Sequence, residues 1–338
     1  MTGLATDARN RVLDEIRGGE QFLLVTHEHP DGDAIGSLVA MHGILRTLGK
    51  DSLMFISADD LPLPLEYRFF DLDGMVSAPP ADIDNRVVIF LDCGNIDRTP
   101  VGAVKREGSH ILNLDHHHDN TLFGDVDYVV ADASCTAEIV WDLMGELGVR
   151  PTLEIAEALY VGLVTDTGKF MYENTGARAH VMAADLIEAG VDTHDIYRRL
   201  YEDMPYAKLE LLGRALAKVR KLDEGRLMLT ILTREDFAAA GADDSLSEGV
   251  IDHLRSVDGA KVAAVVRELP DSNATHPRKK ISLRSTDGEV DVSAIARVAG
   301  GGGHRQAAGV STDMSEDEIV AFLREQIAAQ LGPAQPAG

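Results

Sequence analysis

Three segments of this chain each carry an apolar, β-like run straight into acid and histidine. Phe22-Leu23-Leu24-Val25 leads to Thr26-His27-Glu28-His29-Pro30-Asp31-Gly32-Asp33, Val87–Leu91 leads to Asp92, and Ile111–Leu114 leads to Asp115-His116-His117-His118. In an α/β sheet the crevice outside the carboxyl ends of the strands is where ligands sit. Three strands that all finish on oxygen and imidazole donors would build a divalent-metal site there. The fold and the chemistry are therefore constrained by the same residues.

The remaining pattern agrees with an α/β chain. Gln21–Thr26, Ser52–Ser57, Val87–Leu91, Ile111–Leu114 and Asp127–Val130 read as strands. Ala34–Leu48 has helical apolar spacing and stops at Gly49. Ser134 or Thr136 is placed to cap a helix through Leu147, Pro151 to begin one whose last turn reaches Asp166, and Thr175 to cap one running to Gly190. Such alternation predicts a mostly parallel sheet flanked by helices. Ile196–Arg220 is helical in pattern but polar and broken at Pro205, and reads as a linker. Beyond it, Leu227–Thr233, Lys261–Leu269 and Lys280–Ser285 read as strands, and Val292–Val298 and Glu316–Gln330 as helices, of a smaller second α/β domain. The expected division is residues 1–195, a helical linker 196–224, a second domain 225–332 and a disordered tail 333–338.

Composition narrows the function. With 338 residues the chain is comfortable as two domains. Against 32 Lys and Arg stand 56 Asp and Glu, a net charge of −24, which disfavours sequence-blind binding to long nucleic acid but not a small phosphorylated substrate held by metals. Only Cys93 and Cys135 are present, so a disulfide framework is not expected and a reducing cytoplasm is. The first twenty residues are charged and lack an apolar core, so neither a signal peptide nor a membrane span is expected.

His27, Asp31 and Asp33 share a tight loop made possible by Pro30 and Gly32. Asp92 ends a fully apolar strand, where a lone carboxylate is costly unless paired or metal-bound. Asp166, in Gly162-Leu163-Val164-Thr165-Asp166-Thr167-Gly168, ends an apolar helix. Each feature alone has a bland reading: an exposed turn, a surface His pair, a helix cap. Together, on this strand pattern, they point to a metal site. Mixed imidazole and carboxylate donors suit Mn²⁺, Fe²⁺, Co²⁺ or Zn²⁺ more than Ca²⁺. Two metals roughly 3.5–4 Å apart can clamp an in-line displacement at phosphorus. Cys93, beside these donors, is expected to pack under the loop, since a thiolate there would compete for the metal.

A second candidate site is Gly300–Gly303 followed by His304 and Arg305, where glycines permit close backbone approach to a phosphate. Four glycines could equally be a linker, but this run lies between a helical segment and the apolar Ala307-Ala308-Gly309-Val310. Arg278, Lys279, Lys280 and Arg284 form a local basic excess. A solvated hairpin tip accounts for Arg278 and Lys279, and a substrate role is expected only for Arg284. Arg98 could reach a phosphate near Asp92 or pair with Asp97.

These segments resemble the DHH phosphoesterase superfamily, named for Asp115-His116-His117. Gly300–Gly303 with His304 resembles the signature of its subgroup with a DHHA1 carboxyl-terminal domain, and the nearest likeness is to the NrnA-like nanoRNase/pAp phosphatase type, over about Gln21 to Gln330. The resemblance implies a site in the cleft between a DHH and a DHHA1 domain. One metal would take His27, Asp31 and Asp92, and the other Asp33, Asp92, His116 and Asp166, with Asp92 and a water or hydroxide bridging. Asp115 would orient an imidazole from outside the coordination sphere, and His117 would face the phosphate or leaving oxygen. Arg284, Ser282, Gly301, Gly302, Gly303, His304 and Arg98 would contact substrate. No role is assigned to Glu28, His29 or His118.

The implied activity is a Mn²⁺-dependent phosphohydrolase with two ions per subunit, Co²⁺ or Mg²⁺ being possible substitutes. Attack by the bridging hydroxide would need no protein nucleophile. The implied substrates are RNA of a few nucleotides, released as 5′-mononucleotides, and 3′-phosphoadenosine 5′-phosphate (pAp), released as AMP. The alternative within the family is a phosphodiesterase for c-di-AMP or pApA. A RecJ-like exonuclease is disfavoured because there is no room for an added OB-fold, and a family II pyrophosphatase because its basic carboxyl-terminal signature is absent. A non-catalytic nucleotide-binding module would be expected to lose ligands, and all six are present. A cytoplasmic homodimer is the implied setting.

Overall fold

The computed structural model describes residues 3–99, 110–269, 278–303 and 305–332. It separates into two compact units, Met1–Asp203 and Met204–Gly338. The first holds strands β1 (Gln21–Val25), β2 (Asp51–Phe55), β3 (Met75–Val76), β4 (Val87–Leu91), β5 (Ile111–Asp115) and β6 (Val126–Val129). All pair in parallel, in the order β3-β2-β1-β4-β5-β6. The chain winds outward from β1 to β3, then restarts on the other side of β1 with β4. The β1/β4 boundary is thus the switch point at which open α/β sheets bind ligands.

Both faces of this sheet are dry, which explains the continuous apolar runs. On β1, Phe22 and Leu24 join a core with Ile35, Leu38, Val140 and Leu159, while Leu23 and Val25 face Phe55, Val88, Phe90 and Cys93. The helices are α1 (Gly3–Gly18), α2 (Gly32–Thr47), α3 (Thr136–Glu146), α4 (Leu153–Asp166), α5 (Ala177–Glu188) and α6 (Thr193–Tyr201). Among the described residues no helix is long and apolar enough to cross a membrane.

Helices α2 and α4 run antiparallel in close contact, and glycine makes this possible. A Cβ on Gly36 would strike the Ala158 carbonyl. One on Gly162 would lie 2.7 Å from Ala137 Cβ and 2.9 Å from Asp33 Oδ1, and one on Gly43 would lie 2.6 Å from Ile155. The pairing sets the carboxyl end of α4, with Asp166, beside the amino end of α2, with Asp33.

Three expected helix starts differ. The N-cap of α3 is Cys135, which makes no side-chain cap bond; the role expected of Ser134 or Thr136 is filled from another element, as described below. Thr152 rather than Pro151 caps α4, and Gly176 rather than Thr175 precedes α5. The stretch read as a linker holds α6 and, in the second unit, α7 (Tyr206–Ala217), with Pro205 at the N-cap of α7.

The second unit adds β7 (Arg220–Leu222), β8 (Leu227–Leu232), α8 (Arg234–Ala240), α9 (Val250–Arg255), β9 (Val262–Glu268), β10 (Lys279–Ser285), α10 (Val292–Val298), β11 (Gly302–Gly303), β12 (Ala307–Thr312) and α11 (Glu316–Leu331). The sheet order is β11-β12-β10-β9-β8-β7, with only β8 and β9 parallel. Ile281 and Leu283 of β10 pack with Ile295, Ile319 and Leu323 on one face, and Met228, Ala263 and Val265 with Leu211 and Leu254 on the other. Lys279 is not in a solvated tip: it is buried in β10 and its Nζ donates to the Met314 carbonyl at 3.2 Å.

The α2–α4 contact yields a stability prediction. Gly36→Ala forces a methyl against a backbone carbonyl that cannot turn away. The overpacking, of roughly 1–3 kcal/mol, exceeds the gain in helix propensity of about 1 kcal/mol. Denaturant unfolding should therefore show Gly36→Ala destabilised, whereas Gly145→Ala, where a Cβ meets nothing within 4 Å, should be neutral or stabilised.

Candidate metal centre

At the switch point the ends of β1, β4 and β5 bring the donors together. Three overlapping sets have ligand atoms that all lie within 4.8 Å of one another: His27, Asp31 and Asp92; Asp33, His116 and Asp166; and Asp92, His116 and His117. Asp92 belongs to two sets, and so does His116. All six residues expected as metal ligands are in this cluster, together with His117.

The separations suit a shared cation. His27 Nε2 lies 3.6 Å from Asp92 Oδ2, His116 Nε2 lies 3.6 Å from Asp92 Oδ1 and 3.7 Å from Asp166 Oδ2, and 4.0 Å from Asp33 Oδ2. These are too long for hydrogen bonds. Two ligands each about 2.1 Å from one ion lie about 3–4 Å apart. His27 Nδ1 is 2.8 Å from the Glu28 carbonyl, which can only accept, so Nδ1 holds a hydrogen and Nε2 is the nitrogen turned toward Asp92.

Each carboxylate is held by the fold. Asp31 is the N-cap of α2 and accepts the N–H groups of Asp33 and Ala34 through Oδ1, both at 3.1 Å. Asp33 accepts from Thr136 N at 2.6 Å, Ala137 N at 2.9 Å and Ser37 Oγ at 3.2 Å. It thereby caps α3, more than a hundred residues away in sequence, through the free amides that a helix start offers an anion. Asp92 has φ +59°, in the left-handed region that asparagine and aspartate tolerate better than other side chains. Its Oδ1 accepts from Thr136 Oγ1 at 3.0 Å. Asn174 Nδ2 donates to Asp166 Oδ2 at 3.1 Å.

Asp115 lies behind the cluster, fully buried. Its Oδ1 is 2.7 Å from His117 Nδ1, and its Oδ2 accepts from Asn120 Nδ2 at 2.6 Å. Asn113 in turn donates to Asn120 Oδ1 at 2.9 Å. Asn120 and Asn174 are not singled out by the sequence, and Thr136 is singled out only as a helix cap. The available signal was faint: Asn113, within Ile-Leu-Asn-Leu, is a polar residue inside an apolar run and so requires a partner. Cys93 is buried and its thiol donates to the Asn95 carbonyl at 3.1 Å. His29 is exposed and pairs with Asp60, and His118 is exposed.

Charge crowding shows in the proton affinities. Burial, then Asp92, Asp166 and Asp31, push the Asp33 carboxyl well above the usual range, against the Ala137 N–H. Burial raises Asp166 to about 6, opposed by His116 and supported by Asp92 and Asp31. Asp31 is raised by the protein around it and then by Asp92. Burial would raise Asp92 too, but His27, His116 and His117 outweigh it and hold its carboxyl below the usual range. Acids crowded beyond their neighbouring bases, with no Lys or Arg among the causes, form a site that a divalent cation would complete.

The second unit carries the other expected residues except Arg98, which belongs to the first. Gly302, Gly309 and Ser282 lie in one row across β11, β12 and β10. A Cβ on Gly301 or Gly303 would collide with β12, whereas Gly302 faces open space, so the glycine run is an edge strand seated on the sheet. Ser282 Oγ accepts from Arg267 at 3.2 Å. Arg284 is half-buried, and its Nη1 donates to the Leu283 carbonyl at 3.1 Å. His304, the side chain of Arg98 and residues 333–338 lie outside the described residues.

The raised carboxyls predict a pH dependence. A folded-state pKa above the unfolded one adds stability at low pH that is lost as pH rises through the folded value. Metal-free protein should therefore lose thermal stability as pH rises from about 4 through about 6, the range between the ordinary Asp value and that of Asp166. Cation binding requires the deprotonated ligands, so Mn²⁺ should bind more weakly as pH falls through about 6, with proton release, as titration calorimetry in two buffers would measure. An affinity that does not weaken on acidification would contradict the site.

Residues 21–163 match the family model described as the DHH family, N-terminal domain, and residues 230–329 match the DHHA1 domain. The chain is 33% identical over 322 residues to a bifunctional oligoribonuclease and PAP phosphatase NrnA from Thermus thermophilus, covering 94% of this chain and 92% of that one. To the Bacillus subtilis protein of the same name it is 25% identical, over 86% and 89% of the two chains. An exopolyphosphatase-related protein from Bacteroides fragilis superposes with a TM-score of 0.84 at 23% identity over 96% of both chains. RecJ exonuclease bound to manganese superposes at 0.56 with 17% identity, over 98% of this chain and 95% of that one. With both domains matched in order, and one-third identity along nearly the full length of such a relative, the chain belongs to the DHH–DHHA1 phosphoesterase family and is NrnA-like.

Proposed function

We propose that this phosphoesterase uses two Mn²⁺ ions to degrade RNA of a few nucleotides to 5′-mononucleotides and to convert pAp to AMP. The observation that carries the reading is the set of three donor triads at the switch point, linked through Asp92 in two of them and through His116 in two. The likeness to relatives named oligoribonuclease and PAP phosphatase supports the substrate class.

His27, Asp31 and Asp92 would hold one ion, and Asp33, Asp92, His116 and Asp166 the other. Bound there, the pair would supply a hydroxide nucleophile at neutral pH and neutralise charge on the phosphate. The chain's own part is to fix those ligands. Glu28 sets the His27 tautomer, Thr136 and the α3 amides orient Asp92 and Asp33, and Asn174 orients Asp166. With Nδ1 held by Asp115, His117 would face the phosphate or the leaving oxygen, where it could give a proton. Arg284, Ser282, Arg98, His304 and Gly301–Gly303 would hold the rest of the substrate. A chain of net −24 fits short substrates better than long ones. The proposed division is a catalytic domain through residue 195, a connecting segment to 224 and a substrate domain from 225, in a cytoplasmic homodimer.

Steady-state kinetics with Mn²⁺ on pAp, pApA, c-di-AMP and RNA of two to five nucleotides test this directly. Short RNA and pAp should be cleaved. Asp92→Asn, which tolerates the left-handed backbone, should lower kcat by on the order of 10²–10³-fold or more, the scale set by losing one preorganised electrostatic group. A preference for c-di-AMP or pApA would reassign the substrate, and an inactive wild type would defeat the reading.

A further inference from the structure

The segment that follows Asp166 is built more tightly than a connection between two helices requires. Gly168, Lys169 and Phe170 have φ of +54°, +63° and +65°, three consecutive left-handed residues, two of them bulky. Such backbone is costly and persists only where its surroundings over-determine it, most often at functional sites. Here Thr167 is the hub. Its hydroxyl donates to the Leu163 carbonyl at 2.6 Å and accepts the Phe170 N–H at 3.1 Å. Its carbonyl accepts the N–H groups of Met171 and Tyr172, both at 3.0 Å. Lys169 Nζ sits 4.2 Å over the Tyr201 ring, and Phe170 stacks on His180 with centroids 5.1 Å apart. The returning limb is fastened by Asn174, whose Nδ2 donates to the Ser134 carbonyl at 2.8 Å and to Asp166 Oδ2 at 3.1 Å. The loop leaves from a proposed metal ligand and comes back to it.

Beside the charged Lys169 and Glu173, this loop displays two large, mainly apolar side chains. Met171 is 82% exposed and Tyr172 52% exposed. The Tyr172 ring is seated against Gly168, where any Cβ would collide with it, so the ring is supported by backbone and still presents half its surface to solvent. The neighbouring side chain is Glu173, also exposed, which would repel a phosphate but not a neutral base. An aromatic ring held stiffly by its backbone offers stacking area at small entropic cost, the way proteins hold unpaired bases without reading their sequence.

We propose that Tyr172, flanked by Met171, is the stacking platform for the nucleobase of a nucleotide whose phosphate lies at the metal centre. The inference rests on the phosphohydrolase reading above and adds the residue that grips the base. It makes Tyr172 a determinant of KM rather than of the chemical step.

Two measurements decide it. In the first, Tyr172→Ala should raise KM for an RNA dinucleotide about tenfold, the scale of one lost base stack, with kcat within about twofold. Tyr172→Phe should behave as wild type, and a dinucleotide analogue lacking both bases should not distinguish Tyr172→Ala from wild type. The second exploits the single tryptophan of the chain. In a Trp141→Phe/Tyr172→Trp protein loaded with Mg²⁺, AMP should quench the new fluorophore and ribose 5-phosphate should not. An unchanged KM, an equal KM rise on the base-free analogue, or no quenching by AMP overturns the proposal. If the wild type cleaves none of the short substrates, the functional reading fails while the AMP titration still decides this one.

Discussion

The carboxylate of Asp33 is the joint on which the first domain turns. It sits in the first turn of α2, 1% exposed, and closes the amino end of α3 by accepting two of its amide hydrogens. A buried carboxylate in an apolar core is costly, and two helix amides, the Ser37 hydroxyl and His116 at 4.0 Å offset part of that cost here. The same oxygens face Asp92, Asp166 and His116. Folding and the proposed metal binding therefore share one side chain. In the metal-free chain the price is a proton held well above the usual carboxylate range.

From that joint the rest of the centre follows mechanically. Glycines along α2 and α4 let the two helices close to backbone contact, and the approach carries Asp166 to the cluster. The parallel strand order puts β1 beside β4, so the loop with His27 and Asp31 meets Asp92 at the switch point. Asp92 then adopts a left-handed backbone, turning its carboxylate between His27 and His116. No element supplies more than a few of the donors. The site belongs to the sheet as a whole, and a disturbance at a helix contact such as Gly36 would reach the proposed metal ligands through backbone shifts.

Much of the centre was legible in the sequence because strand ends are conspicuous. A carboxylate directly after five apolar residues, as at Asp92, is expensive without a partner, and three such ends declare a common site. The parallel sheet and its long helices followed from the same runs. What stayed hidden was pairing at a distance. Ser134 or Thr136 looked like the cap of α3, but nothing in that segment says that Asp33 would take the role. Gly32, Gly36 and Gly162 are visible as glycines, yet their purpose depends on which helix lies opposite. The short α8 and α9 lack enough turns to show a periodicity, and β11 is two glycines whose strand character comes only from its neighbour β12. The positive φ values at Asp92, Lys169 and Phe170 are likewise imposed by tertiary surroundings rather than by residue type.

Imidazole and carboxylate groups from separate elements must gather around one aspartate if this centre is to hold two cations. Anomalous diffraction from crystals grown with Mn²⁺ tests this most directly. It should give two peaks per chain, roughly 3.5–4 Å apart, both within bonding distance of Asp92, with His27 and Asp31 on one and Asp33, His116 and Asp166 on the other. Density for a single ion away from Asp92, or none at saturating Mn²⁺ near neutral pH, would contradict it.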